Sequence, residues 1–241
     1  DLVYSQLKTQ PRTSTGNFWH KEIYPNQIWL DGLYMAQPFY MQYEVTYNNS
    51  TNCKDCYQQF VNVYNLMRDL RNGLYYHAYD DSRTSFWCDK VTGLSDNFWL
   101  RALGWYAMAL IDTTEVMPEE TLGSEKKEMN RIYKELIDSM LPYQDEETGM
   151  WYQVVNRGGI HPNYLETSGY VSASWTDPIL PMERKHLKGS VALTFLKKTE
   201  NCSWAGSVLW QDLEIKKCGK EPLIIICANR SLKMKRKALH R

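Results

Sequence analysis

Gly73-Leu74-Tyr75-Tyr76-His77, with Trp99-Leu100-Arg101 further along, is a pattern that the chain writes three times. The first copy reads Gly16-Asn17-Phe18-Trp19-His20 and then Trp29-Leu30-Asp31. The third reads Gly149-Met150-Trp151-Tyr152-Gln153 and then Tyr164-Leu165-Glu166. The order is fixed: a glycine, two rings and a polar residue, a connection, then ring-Leu-charge at a helix start. Self-similarity with a period of roughly 65 to 75 residues is the mark of an array of like units.

The stretches around these elements have two kinds of helical pattern. Gln27 to about Thr46, entered through Pro25-Asn26, is apolar on nearly every face. So is Asn97 to about Val116, with Ser95 or Asp96 as cap and Pro118 as stop. Helices apolar all round are buried ones. Between them lie two amphipathic stretches. Tyr57 to about Arg71 carries Phe60, Val63, Leu66 and Leu70 on one stripe. Glu125 to about Met140 carries Met129, Ile132, Leu136 and Met140, with Lys126, Lys127 and Glu135 outside. Buried inner helices alternating with half-exposed outer ones describe an all-α fold, an α/α toroid of about three helical hairpins over residues 1–169. The glycine-aromatic segments are expected as short strands or loops across one mouth.

That arrangement brings Asp31, Arg101 and Glu166 to one end, each in the first turn of an inner helix, with His20, His77 and Gln153 beside them. Burying unpaired charge is costly, so polar groups at the end of an apolar bundle mark either a site or a charge network pinning neighbouring helices.

Composition narrows the partners. The 241 residues hold 28 basic and 28 acidic side chains, so no net field favours nucleic acid or an anionic membrane. No run reaches the roughly 20 apolar residues of a membrane-spanning helix. With 17 Tyr, 9 Trp and 6 Phe, the chain carries either a ring-rich core or rings that stack on sugars. Cys53 and Cys56 form a C-x-x-C without a second pair at zinc spacing, and Cys88, Cys202, Cys218 and Cys227 are scattered, so no metal site is expected. From Tyr170 to Arg241 the repeat stops and the end turns basic (Lys233, Lys235, Arg236, Lys237, Arg241). This tail is expected to be irregular and solvated.

From His20 to Gly169 the sequence resembles the unsaturated rhamnogalacturonyl hydrolases of glycoside hydrolase family 105, related to family 88. The blocks that carry the resemblance are Phe18 to Lys21, Pro25 to Ala36, Gly73 to Asp80, Gly93 to Tyr106 and Asn163 to Glu166. The resemblance implies an (α/α)6 barrel, here partial and truncated at both ends, without cofactor or metal. It implies a substrate with a 4,5-unsaturated galacturonyl group at the non-reducing end of a pectin-derived rhamnogalacturonan oligosaccharide. Asp31 matches the general acid/base. His20, Lys21, Trp29, His77, Trp99, Arg101, Trp105 and Glu166 match the substrate-binding surface. The family's reaction hydrates a vinyl ether: one carboxyl protonates C4, water adds at C5, and the hemiketal opens. Arg101 has the forked donors that suit a uronate carboxylate.

Two other readings use the same residues: a carbohydrate-binding remnant without catalysis, or another α/α-toroid enzyme such as a polysaccharide lyase or a sugar epimerase. An arc of about three hairpins also leaves inner-helix faces uncovered at its ends, and such a chain by itself is expected to be aggregation-prone or only partly folded.

Overall fold

The computed structural model describes residues 2–166. The 170–241 tail, and the expectations attached to it, lie outside the described residues. Five helices carry the fold: α1 (Leu2–Thr9), α2 (Leu30–Tyr47), α3 (Cys53–Met67), α4 (Leu100–Val116) and α5 (Glu119–Met140). Two small antiparallel ladders complete it: β1 (Gln27–Trp29) with β2 (Ala78–Asp80), and β3 (Trp151–Tyr152) with β4 (Leu165–Glu166). Inner helices α2 and α4 pack on each other, and α3 and α5 lie outside them as their hairpin partners. The fold is all-α, an arc of an α/α toroid, with two complete hairpins and the outer helix α1 among the described residues.

The inner helices start later than their apolar pattern suggests. Gln27 to Trp29 belong to β1, where Gln27 faces Asp80 and Trp29 faces Ala78. Pro25-Asn26 is a turn with Asn26 at φ 62°, a left-handed conformation that asparagine tolerates. Asn97 to Trp99 are likewise extended, with Asn97 O and Phe98 O accepting from His77 N–H and Val155 N–H. A residue committed to a strand-like pairing cannot also begin a helix, so the N-caps are Trp29 and Trp99, without side-chain caps. Ser95 and Asp96 do not cap α4; the Ser95 hydroxyl instead accepts from Ala78 N–H. The first helical N–H groups are satisfied by the next repeat, Leu30 donating to His77 O (3.1 Å) and Leu100 to Gln153 O (2.9 Å). Each copy thus plugs the helix start of the copy before it.

The outer helices shift as well. α3 runs from Cys53 to Met67 because Arg68 turns extended to bridge Tyr75, which leaves Leu70 88% exposed in a turn rather than on the buried stripe. Cys53 and Cys56 are buried core residues one helical turn apart. α5 begins at Glu119, and a non-helical Leu122 (φ −132°, ψ 26°) separates its first turn from the predicted stretch. On that stretch Met129, Ile132, Leu136 and Met140 are all buried.

A further repeat governs the turns. Asp69–Gly73, Asp89–Gly93 and Asp145–Gly149 each form the same loop. The aspartate N–H donates to the carbonyl one residue past the glycine (2.8, 2.9 and 2.8 Å), and the glycine N–H donates back to the aspartate carbonyl (2.7, 2.8 and 2.7 Å). The glycines sit at φ 78°, 80° and 68°. At Gly93 the constraint is double, because a Cβ there would lie 2.6 Å from Asp80 O.

Candidate active site

The mouth is built where β1 hands over to α2 and where Trp99 hands over to α4. Asp31, the second residue of α2, faces across to His77, which ends the glycine-aromatic segment of the next copy. His77 Nε2 lies 3.3 Å from Asp31 Oδ2. The pair is close but out of hydrogen-bond alignment, and both atoms are buried without a hydrogen-bond partner.

From this pair a continuous arc of contacts runs both ways. His77 meets the edge of Trp29 (ring centroids 5.0 Å apart, planes at 67°) and of Trp99 (4.9 Å, 72°). Trp29 stacks flat on His20 at 4.5 Å and on Tyr24 at 5.2 Å. On the other side the Arg101 guanidinium lies over the Trp99 ring, 4.4 Å from its centroid, and 3.8 Å from Glu166. Trp105, one turn beyond Arg101 on α4, packs on Tyr34, one turn beyond Asp31 on α2, at 4.9 Å. Of the residues singled out in the sequence, only Lys21 stays at the rim, exposed, with its ammonium 6.0 Å from the Tyr24 ring centroid.

Glu166 is reached by a different route from the expected one. It lies in β4, not in the first turn of a helix, and its place in the repeat is that of a tryptophan. His20 N–H donates to Gln27 O, His77 N–H to Asn97 O and Gln153 N–H to Tyr164 O (2.8, 3.1 and 2.8 Å). These bonds make Gln27, Asn97 and Tyr164 equivalent, and two residues on they align Trp29, Trp99 and Glu166. The ring-Leu-charge match of the third copy is therefore two residues out of register. A shift of two keeps a strand residue on the same face, so Glu166 still turns toward Arg101.

His20 is pushed toward its neutral form. Burial is the main cause, with Lys21 and His77 adding to it and Asp31 opposing it. The ring comes so close to α2 that a Cβ at position 32 would lie 3.0 Å from His20 Nδ1, and Gly32 permits the approach. His20 also borders a cavity of about 170 Å³ shared with Trp19, Trp29, Leu33 and Gln37. His20 Nδ1, Trp19 Nε1 and Gln37 Oε1 are buried there without a hydrogen-bond partner.

The sequence reading missed Tyr24, Gly32 and Tyr34. Tyr34 was accessible through helical spacing, since it follows Asp31 by three residues on the same face. Burial and nearby Asp112 raise its phenol above the usual tyrosine range. No group of three or more His, Cys, Asp or Glu among the described residues could hold a metal ion.

An arc of helical hairpins that gathers two carboxyls, two histidines, an arginine and five rings near its inner-helix N-termini is part of an α/α toroid with polar and aromatic groups at one mouth. The chain belongs to Glycosyl Hydrolase Family 88, whose family model matches residues 1–177. A family 105 glycoside hydrolase from C. acetobutylicum is similar in structure, with a TM-score of 0.76 at 37% identity over 81% of this chain and 56% of that one. A protein of Agrobacterium fabrum is 35% identical over 134 residues, 56% of this chain and 55% of its own length. The Bacillus subtilis protein named unsaturated rhamnogalacturonyl hydrolase YesR is 23% identical over 172 residues, 69% of this chain and 47% of its own length. The chain thus spans about half the length of these relatives.

Proposed function

We propose that this mouth removes a 4,5-unsaturated galacturonyl residue from the non-reducing end of pectin-derived rhamnogalacturonan oligosaccharides, with Asp31 as general acid and base. The observation that carries the reading is the Asp31 carboxyl itself. One of its oxygens is buried, takes no hydrogen bond and lies 3.3 Å from His77, whose ring in turn meets Trp29 and Trp99. Glu166 is the less suitable carboxyl, since it accepts from the Tyr164 hydroxyl and pairs with Arg101.

The roles follow from position. Asp31 delivers its proton to C4 of the vinyl ether, and water adds at C5 while its proton returns to the carboxylate. The hemiketal so formed opens and releases the rest of the oligosaccharide. Trp29 and Trp99 offer ring faces and edges to the sugar. Arg101, held over Trp99 and 40% exposed, presents its fork to the uronate carboxylate. Neutral His20 serves as a hydrogen-bonding group rather than a charge. The name carried by the Bacillus subtilis relative supports the substrate class.

The test is the ultraviolet absorbance of the unsaturated sugar, which hydration removes and lyase action would create. Asp31→Asn is expected to abolish the loss of absorbance while substrate still binds, because the amide keeps the shape and lacks the proton. Arg101→Lys is expected to raise KM by roughly tenfold or more with a smaller change in kcat, since an ammonium cannot reproduce the bidentate fork. Full activity in Asp31→Asn, or a rise of absorbance with the parent chain, overturns the assignment.

A further inference from the structure

The loop that follows β2 is held far more firmly than an exposed turn requires. Asp80, fully buried, accepts from the N–H groups of Ser82, Thr84 and Ser85 (2.9, 3.1 and 2.7 Å) and from the Ser82 hydroxyl (2.6 Å). From outside the loop, the Lys90 ammonium donates to the carbonyls of Thr84 and Ser85 (3.1 and 2.5 Å). Asp81 anchors the near end by accepting from Ser14 N–H (2.8 Å), and Arg83 sits at φ 57°, a conformation that non-glycine residues seldom take. At the end of this fastened segment Phe86 is 97% exposed. A lone exposed ring is unremarkable on a loose loop. One displayed by a pinned and strained loop invites a functional reading.

Two hydrogen bonds tie this loop, at the residue before Phe86, to the mouth. The Trp29 indole N–H donates to Gln27 Oε1 (2.9 Å), and Gln27 Nε2 donates to the hydroxyl of Ser85, the residue before Phe86 (3.0 Å). In the β1–β2 ladder Trp29 pairs with Ala78 at the end next to Asp31, and Gln27 pairs with Asp80 at the end where the loop departs. At about 3.3 Å per strand residue, the loop leaves the ladder roughly 7 Å from the Trp29 end.

We propose that Phe86 is a stacking platform for a sugar on the leaving-group side of the substrate, beyond the unsaturated uronyl residue. This rests on the reading that the mouth takes the non-reducing end of an oligosaccharide. Such a substrate extends in one direction only, so an additional ring beside the mouth has only leaving-group sugars to meet. The apolar face of a pyranose is the matching surface.

The experiment compares the unsaturated disaccharide and tetrasaccharide released from rhamnogalacturonan by a lyase. Their binding to the full chain and to Phe86→Ala and Phe86→Trp is followed by tryptophan fluorescence, which requires no turnover. The expected result is a tetrasaccharide Kd about five- to tenfold weaker in Phe86→Ala, a disaccharide Kd shifted several-fold less, and recovery of the tetrasaccharide Kd in Phe86→Trp. Equal shifts for both lengths, or none for the tetrasaccharide, overturn the platform while leaving the disaccharide site in place. Failure of the parent chain to bind either probe overturns both the platform and the reading on which it rests.

Discussion

The two inner helices begin alike and are covered differently. α2 opens Leu30-Asp31-Gly32 and α4 opens Leu100-Arg101-Ala102, each donating its first N–H to the following repeat. Along α4, Leu100, Ala102, Leu103, Tyr106, Ala107, Ala109 and Leu110 are all within 0% exposure. Along α2 the corresponding apolar character reaches the surface: Met35 is 61% exposed, Phe39 39% and Tyr47 75%. A closed toroid packs each inner helix between two others. Among the described residues α2 packs on α4, on α3 and, through Tyr43 stacked on Tyr4, on the short α1, which leaves Met35, Phe39 and Tyr47 exposed. The same sequence signal, a helix apolar all round, therefore belongs to a filled position in one case and to an incompletely covered one in the other. Periodicity reports what a helix is suited to bury, not what is present to bury it.

The largest expected consequence is in stability. Leu103→Ala on α4 removes a wholly buried side chain and is expected to cost about 3 kcal/mol, whereas Met35→Ala on α2 is expected to cost below about 1 kcal/mol. Urea denaturation of the two variants measures the difference. Equal costs would mean that the α2 face is covered in solution.

A second difference lies in what leads into each helix. The ladder ahead of α2 is shored by Asp80. Burial alone would raise its pKa, but hydrogen bonds from Ser82 and Ser85 outweigh burial and hold it down to about 2. A folded-state value below the unfolded value of about 3.9 means that the folded protein gives up this proton more readily. The resulting stabilisation is complete above about pH 4 and is lost as pH falls toward 2, a change of about 2 kcal/mol for the one group. Denaturation midpoints measured at pH 5 and pH 2.5 should show this loss in the parent chain and a smaller one in Asp80→Asn. An equal loss in both would place the acid sensitivity elsewhere.

Much of the mouth was legible because the repeat supplied a frame. Three copies placed His20 and His77 on entry segments, and Trp29-Leu30-Asp31 and Trp99-Leu100-Arg101 at the starts of inner helices. The frame misled at Glu166, since a ring-Leu-charge triplet matched by residue type and the true register was set by backbone pairing of Gln153 with Tyr164. It misled also at the helix starts, where three residues of good helical pattern are taken by extended pairing at Gln27 to Trp29. A local pattern yields where a partner strand offers the same backbone groups a ladder. Tyr34 and Gly32 were not singled out for a different reason: only the facing Trp105 and His20 rings, brought close by the fold, set them apart from their neighbours in the helix.

The smallest expected effect on stability bears most directly on the uncovered face. Met35 and Phe39 follow Asp31 at four-residue spacing on α2, and the line continues through Tyr43, which stacks on Tyr4 of α1, to the exposed Tyr47. Exposed apolar surface gains by leaving water, and a contiguous stripe on a rigid helix does so by meeting another such stripe. The chain by itself should therefore elute at a volume that shifts with concentration. Met35→Lys together with Phe39→Glu places a charge of each sign on that stripe, so self-association is opposed by the desolvation of both. Met35 is mostly exposed and Phe39 is 39% exposed, so the double variant should change folding stability by no more than about 1 kcal/mol per site. Its elution volume should be independent of concentration. If the parent chain elutes as a monomer at every concentration, the exposed stripe is not a self-association surface. If the double variant unfolds instead, the stripe is part of the packed core and the contrast between α2 and α4 does not hold.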